Sequence, residues 1–129
     1  MLLLDTHVLL WILGDSEKLS GRARKVLLMN DCSISIASLW ELAIKASLVK
    51  AEKRLDLPKP IEQIVDTCNE QGIEVLPITP EDCARVMALP HIHEDPFDRI
   101  IVAQAMERGL PLVSKDENIA KYDGVEVVW

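Results

Sequence analysis

The feature that most constrains the fold is an alternation of short apolar runs with longer helical segments. Residues 2–4 form an uninterrupted apolar run, and residues 33–36 alternate polar with apolar side chains, so both are predicted to be strands. Further strands are predicted at 73–78, 110–114 and 125–129. Strands that alternate with helices favour a parallel sheet with helices on both faces. The expected fold class is therefore α/β.

The segments between these strands carry helix start and stop signals. Ser20 is placed to cap one helix, and Thr79 stands before a proline at the first position of another. Gly14, Gly72 and Gly109 follow helical runs and are expected to end them. The predicted helices cover about 6–13, 20–29, 37–49, 61–71, a segment that starts at 79, 95–108 and a short segment after 116.

The length of 129 residues predicts one domain, spanning 1–129, that buries a core without a disulfide or a zinc ion. Cys32, Cys68 and Cys83 are odd in number and form no CxxC pair, which indicates buried thiols in a reducing compartment. The apolar runs near the start lack a basic leader and are far too short to cross a bilayer. We therefore expect a soluble, cytoplasmic protein with no membrane association.

The formal net charge is −7, from 21 acidic and 14 basic side chains. Domains that bind nucleic acid through bulk positive charge are usually basic, so this acidity counts against that mode of binding. The chain also lacks a P-loop, a GxGxxG, a GxSxG and zinc-finger spacing. Nucleotide-cofactor enzymes and serine hydrolases are therefore disfavoured.

Several acidic residues occupy positions that need an explanation. Asp5 and Asp116 each follow a predicted strand, where either could simply cap the next helix. Glu41 lies in a helix that is apolar on nearly all sides, which predicts burial. It also has local explanations, namely a capping box with Ser38 or an ion pair with Lys45 four residues on.

Helix geometry separates the two acids of the segment 95–99. Asp95 precedes Pro96, as a capping residue should, and Arg99 is its expected ion-pair partner four residues on. Asp98 has no such explanation, because the residues three and four positions on are apolar and those three and four positions before are acidic. A buried, unpaired carboxylate is costly unless it is neutralised or meets a cation. A metal ion would supply that cation.

The carboxyl ends of parallel strands meet at one edge of a sheet, so Asp5, Glu41, Asp98 and Asp116 are expected to lie together there. Crowded carboxylates repel one another unless divalent cations lie among them, and hard oxygen ligands select Mg²⁺ or Mn²⁺. One or two such ions support the attack of water on a phosphodiester. Two divalent ions would change the net charge from −7 to −3, so the acidity partly reflects a metal site.

The histidines and tryptophans are less informative. His7 is either a lining residue beside Asp5 or a surface histidine. His91 and His93 could hold a transition metal, but their spacing favours loop or supporting roles. The three tryptophans are expected in the core or at an interface.

Five stretches carry a resemblance to a known family: 3–7, 38–45, 76–78, 95–105 and 112–116. The most specific is Asp-Pro-Phe-Asp-Arg at 95–99. In their order along almost the whole chain, the five stretches resemble PIN domains, and specifically the VapC toxins of prokaryotic toxin–antitoxin pairs.

This resemblance implies a three-layer α/β/α fold around a central parallel sheet. It implies an endoribonuclease dependent on Mg²⁺ or Mn²⁺, usually a homodimer, silenced by a cognate antitoxin. Asp5, Glu41 and Asp98 match the three main acidic positions, catalytic and metal-binding, and Asp116 matches the fourth. Glu94 stands where related toxins more often have a basic residue. Supporting or substrate-positioning residues are expected to be Thr6, His7, His93, Asp95, Arg99 and Ser114.

Three other functions fit parts of the sequence: a PIN nuclease for housekeeping RNA processing, a receiver-type phospho-acceptor domain and a catalytically silent binding module. A lone domain favours the toxin, and the receiver is disfavoured because the first strand ends in one acid rather than an adjacent pair. Lys45 and Lys115 are the main candidates for contacts with RNA phosphates. Further candidates are Lys50, Lys53, Arg54 and Arg99. Most exposed basic residues, however, are only solvated surface charges or members of local ion pairs.

Overall fold

Five parallel strands form one sheet in the computed structural model, which describes residues 1–129. Their order across the sheet is β3-β2-β1-β4-β5. The sequence predicted all five strands, and the last three are shorter than predicted. The strands are β1 (Leu2–Leu4), β2 (Cys32–Ser35), β3 (Glu74–Leu76), β4 (Leu112–Val113) and β5 (Val127–Val128).

Six α-helices and three short 3₁₀ turns connect the strands, in the order predicted from the sequence. No helix combines the length and the apolar character that a bilayer crossing requires. The 3₁₀ turns cover Ser16–Lys18, Ala51–Lys53 and Glu117–Lys121. The helices are α1 (Thr6–Gly14), α2 (Gly21–Met29), α3 (Ile36–Ala46), α4 (Ile61–Glu70), α5 (Pro80–Ala88) and α6 (Pro96–Arg108).

Local hydrogen bonds explain why most helices begin where predicted. The Ser20 side chain caps α2, and Thr79 forms a reciprocal capping box with Asp82 at the start of α5. Asp95 caps α6 by accepting hydrogen bonds from the second and third backbone amides of that helix. Gly109 ends α6 in the left-handed conformation, with φ of 61°, which a residue with a Cβ adopts at a cost.

The start of α3 differs from the prediction. Strand β2 ends at Ser35, whose side chain accepts a hydrogen bond from the backbone N–H of Ala37 and so caps the helix. The predicted capping box between Ser38 and Glu41 is therefore wrong, because both residues lie inside the helix. Ser38 is free to bond to another element instead.

Two apolar layers flank the sheet and confirm the three-layer α/β/α fold. Side chains alternate between the faces of a strand, so Leu2 and Leu4 pack into one layer and Leu3 packs into the other. Residues of α1, α2, α3 and α4 complete the first layer, while residues of α5 and α6 complete the second.

Two side chains are more exposed than the sequence indicated. Cys32 and Cys68 are buried as predicted, but Cys83 is exposed, because α5 turns Asp82 and Val86 rather than Cys83 toward α6. Helix α3 was predicted to be buried, yet Trp40 is 61% exposed. Its apolar residues cover more of the helix circumference than the sheet can bury.

The central strand β1 lies between β2 and β4. After β1 the chain adds β2 and β3 on one side, and then crosses to add β4 and β5 on the other side. In open α/β sheets of this kind, ligands bind beyond the carboxyl ends of the strands at the point where the winding changes direction. Here that point lies at the ends of β1 and β4.

Candidate metal centre

Asp5 follows β1 and is buried at this point. It stands at the capping position of α1, but its carboxylate makes no capping hydrogen bond. Instead, Asp5 Oδ2 accepts a hydrogen bond of 2.6 Å from Ser114 Oγ, just after β4. Burial raises the pKa of the Asp5 carboxyl above its usual value, and the hydrogen bond from Ser114 opposes that shift only in part.

Asp116 is connected to the same network through its backbone. Its N–H donates to Ser114 Oγ over 3.0 Å. Its side chain caps the turn Glu117–Lys121 through the N–H of Asn118, and Oδ2 lies 2.7 Å from His93 Nε2. Burial acts to raise the Asp116 pKa, but the hydrogen bonds from His93 and Asn118 outweigh it and lower the pKa. Asp116 therefore serves both as a cap and as a member of the acidic group.

Glu41 is only 4% exposed and comes from α3. Lys45 Nζ lies 2.7 Å from Glu41 Oε2, which is the ion pair predicted from their spacing. Burial acts to lower the Lys45 pKa, but Glu41, Asp95 and Asp98 together raise it. Lys45 is thus a cation held among several carboxylates.

Asp98 lies in the first turn of α6, and its carboxylate forms no ion pair and no side-chain hydrogen bond. Burial, followed by the negative charges of Asp95 and Asp5, raises the pKa of Asp98 to about 6. The sequence singled out this residue as the acid without a local partner, and the structure agrees with that description.

Ligand atoms of His93, Asp98 and Asp116 all lie within 4.8 Å of one another. Asp5 and Glu41 are close enough for their charges to act on Asp98. The structure therefore places Asp98 and Asp116 in one group with His93, and Asp5 and Glu41 near enough to raise the pKa of Asp98. Their hard oxygen donors and the unpartnered Asp98 fit a divalent cation such as Mg²⁺ or Mn²⁺.

Two hydroxyl groups join the helices beneath the acids. Thr6 Oγ1 donates a hydrogen bond of 2.8 Å to Ser38 Oγ, and both residues are buried. This bond fixes the start of α1 against α3, next to Asp5 and Glu41. His7, by contrast, is exposed on α1, with its ring centroid 6.0 Å from that of Trp11.

Arg99 does not pair with Asp95 as predicted. Its guanidinium lies over the loop before α6. Carbonyl groups in a loop lack the regular partners that helices and strands provide, so they accept hydrogen bonds from the five donors of an arginine. Arg99 thereby holds the end of α5 and the loop that carries His93. It donates to the backbone carbonyls of Val86, Leu89, Pro90 and His93.

The basic candidates differ in their surroundings. Lys115 is exposed next to Asp116, and Lys50 and Lys53 are exposed in the segment after α3. Arg54 is used locally, because its guanidinium donates to two backbone carbonyls of the same segment. Lys45 is the basic residue in direct contact with the acids.

An apolar groove of about 530 Å³ lies between α3, α5 and the start of α6. Trp40 and Phe97 meet there edge to face, with ring centroids 5.2 Å apart. Ile78, Val86 and Ile100 also line it. Sequence reasoning missed this groove. It also missed the contacts of Ser38 with Thr6 and of Tyr122 with His93, because nothing in the neighbouring sequence indicates contacts with distant elements.

Comparisons with known proteins agree with this geometry. Residues 2–125 match the PIN domain family. The chain is 32% identical over 122 residues to ribonuclease VapC22 of Mycobacterium tuberculosis, covering 93% of this chain and 90% of that protein.

Solved structures resemble the whole fold. One is VapBC2 from Rickettsia felis bound to a promoter DNA fragment, with a TM-score of 0.69 and 14% identity, covering 97% of this chain and 95% of that one. Another is DNA-bound VapBC from Salmonella typhimurium, with a TM-score of 0.65 and 20% identity, covering 98% and 97%. At such low identity, these two structures speak to the fold alone.

Proposed function

This chain belongs to the PIN-domain family, and from that premise we propose that it is the ribonuclease toxin of a toxin–antitoxin pair. The observation that carries the proposal is the meeting of Asp5, Glu41, Asp98 and Asp116, which come from four separate elements, at one edge of the sheet. The relative at 32% identity, a ribonuclease, matches nearly the full length of both chains. A housekeeping PIN nuclease is the alternative with the same chemistry.

The four carboxylates are proposed to hold one or two Mg²⁺ or Mn²⁺ ions. A bound ion of this kind lowers the pKa of an attacking water and stabilises charge on phosphate oxygens. Ser114 Oγ engages Oδ2 of Asp5, which leaves Oδ1 of the same carboxylate available. Asp98, without a partner in the protein, has both oxygens available.

Lys45 is proposed to exchange partners during the reaction. Its Nζ neutralises Glu41 in the metal-free site, and its flexible four-carbon stem lets it turn toward a phosphate of the RNA. Lys115, exposed beside Asp116, is proposed as a second phosphate contact. RNA would then be held by the ions and a few local bases rather than by a basic face.

An antitoxin is proposed as the inhibitory partner. The net charge of −7 and the cluster of carboxylates attract a basic segment.

The chain is also proposed to form a homodimer through α3, where Ile36, Trp40 and Ile44 are exposed. If that face pairs, Trp40→Glu should shift the sedimentation coefficient to that of a monomer, while Met87→Glu, a change at an exposed residue of α5, should leave it unchanged.

The test of the nuclease is cleavage of purified RNA with Mg²⁺, with Mn²⁺ and with a chelator. Asp98→Asn should abolish cleavage while the protein stays folded, and Glu94→Gln, which removes an exposed acid four residues away, should retain it. Undiminished cleavage by Asp98→Asn would exclude the proposed metal chemistry. Sequencing of RNA ends after brief expression separates a toxin, which cuts a defined cellular set, from a processing nuclease, which trims one precursor.

A further inference from the structure

The proposed reaction does not use Tyr122, a buried side chain whose hydroxyl reaches the acidic site through His93. Tyr122 is the only tyrosine in the chain and is 2% exposed, directly after the turn Glu117–Lys121. Its ring lies parallel to that of His93, with 3° between the planes. The Tyr122 hydroxyl lies 2.8 Å from His93 Nδ1, and His93 Nε2 lies 2.7 Å from Asp116 Oδ2. A continuous line of polar atoms therefore joins the core to the acidic site.

The donors and acceptors along this chain of contacts determine which atom donates each hydrogen bond when His93 is neutral. An ionised carboxylate only accepts hydrogen bonds, so Nε2 of His93 must carry a hydrogen to contact Asp116 at this distance. In a neutral imidazole, Nδ1 is then the acceptor, and the Tyr122 O–H is the donor that faces it. The same hydroxyl oxygen accepts the backbone N–H of His93 over 3.2 Å. Every polar atom on the line has a matching partner in this arrangement.

The opposite tautomer fits less well. With hydrogen on Nδ1, the lone pair of Nε2 would face Asp116 Oδ2 at 2.7 Å without a proton between them. The Tyr122 hydroxyl would then accept both hydrogens of His93 and have no acceptor for its own. That tautomer is favourable only if His93 Nε2 binds a metal ion directly.

We propose that Tyr122 is a positioning residue, which holds His93 with its hydrogen on Nε2 and thereby presents Asp116 to the metal in a fixed orientation. The proposal rests on the proposed function, in that the acids bind a divalent ion. Asp116 is then held at both oxygens, at Oδ2 by His93 and at Oδ1 by the N–H of Asn118. The orientation of the remaining carboxylate lone pairs of Asp116 is therefore fixed before a metal ion binds.

The experiment uses the full chain and Mn²⁺ alone as the probe. Nitrogen-15 NMR of the metal-free protein reads the tautomer of His93, and calorimetry reads the Mn²⁺ dissociation constant. The wild type should show hydrogen on Nε2. Tyr122→Phe keeps the buried ring but removes the donor that faces His93 Nδ1, so the ring is held less firmly and Mn²⁺ binding should weaken by about 10-fold, as loss of a supporting hydrogen bond typically does.

Two further variants separate positioning from general stability. Ser33→Ala removes another buried hydroxyl bond, to the carbonyl of Leu2 at the opposite end of β1, and should leave the Mn²⁺ affinity unchanged. His93→Gln keeps an N–H for Asp116 but cannot change tautomer, so adding Tyr122→Phe to it should weaken Mn²⁺ binding no further. A purely structural tyrosine would weaken binding equally in both backgrounds.

The outcomes that overturn the proposal are distinct. Wild-type Mn²⁺ affinity in Tyr122→Phe, or hydrogen on Nδ1 in the wild type, excludes the positioning role; the second result would make His93 a direct ligand. Absence of Mn²⁺ binding by the wild type overturns the proposed metal chemistry, and the positioning role with it, whichever tautomer is observed.

Discussion

Asp98 and Asp116 contribute ligand atoms within 4.8 Å of each other, yet their pKa values shift in opposite directions. Burial opposes ionisation of both. Hydrogen bonds from His93 and Asn118 to Asp116 outweigh burial. Asp98 receives no such bond, and burial together with the negative charges around it, of which Asp95 contributes most, outweighs the opposing charge of His93. The difference lies in the partners, because both residues occupy the same cluster.

This contrast divides the site into two parts with different requirements. Asp116 and Asp5 follow strand ends and are held by hydrogen bonds from His93 and Ser114. Asp98 lies on a helix with no partner of its own. On the proposed function, the first pair of acids is oriented in advance, and the metal ion supplies the cation that Asp98 lacks.

The largest expected effect is on the free energy of unfolding when Asp98 or Asp116 is replaced in the metal-free protein. Asp98→Asn should raise the free energy of unfolding by about 1–2 kcal/mol, after allowance for solvent screening of a partly exposed group. Asp116→Ala should lower it by about 1–2 kcal/mol, because a cap and a charged hydrogen bond are lost. Urea denaturation with a chelator present measures both. Effects of the same sign would remove the distinction between the two acids.

The second expected effect is on the pH dependence of stability without metal. The folded-state pKa of Asp98 is raised to about 6 from 3.8, so its stabilising contribution is fully present below pH 3.8 and is lost as pH rises through about 6. The Asp116 contribution runs the other way: it is present above pH 3.8 and is lost as pH falls through the lowered folded-state value. Unfolding free energies at pH 4 to 8 should therefore show a decrease between pH 4 and 7 that is smaller in Asp98→Asn. An equal decrease in both proteins would assign it to another group.

The smallest effect is expected from Asp95→Asn. Asparagine caps a helix about as well as aspartate, so at pH 4, where Asp98 is protonated in the folded protein, the unfolding free energy should change by less than about 0.5 kcal/mol. Removal of the Asp95 charge should nevertheless bring the pKa of Asp98 down from about 6 toward its usual value. Carbon-13 NMR titration of the Asp98 carboxyl measures this directly. An unchanged titration would mean that the charge of Asp95 does not contribute to the raised pKa of Asp98.

The sequence predicted what depends on neighbouring residues. The order of strands and helices follows from hydrophobic periodicity, and the caps by Ser20, Thr79 and Asp95 form within three residues. Grouping the acids required one further rule, that parallel strands end at a common edge. This rule applies directly to Asp5 and Asp116, which follow strand ends, and to Asp98 in the first turn of α6, whereas Glu41 lies inside α3, which begins directly after β2.

The sequence could not reveal contacts that depend on packing between distant elements. The bonds of Thr6 to Ser38 and of His93 to Tyr122 span 32 and 29 residues. Arg99 had an acidic residue at the right spacing, but the loop carbonyls offered more hydrogen bonds than Asp95 did. The apolar pattern of α3 predicted burial, but Trp40 is 61% exposed, because a hydrophobic pattern does not indicate how much apolar surface the sheet can cover.

The hydrogen bond between Ser114 and Asp5 joins residues 109 positions apart. At 5–20 residues per second, a ribosome needs about 5–20 s to synthesise the intervening chain. A nascent chain that already displays Asp5 and Glu41 therefore has an incomplete site for most of its synthesis. On the proposed function, we expect a nascent chain that has not yet reached residues 98–116 to cleave no RNA.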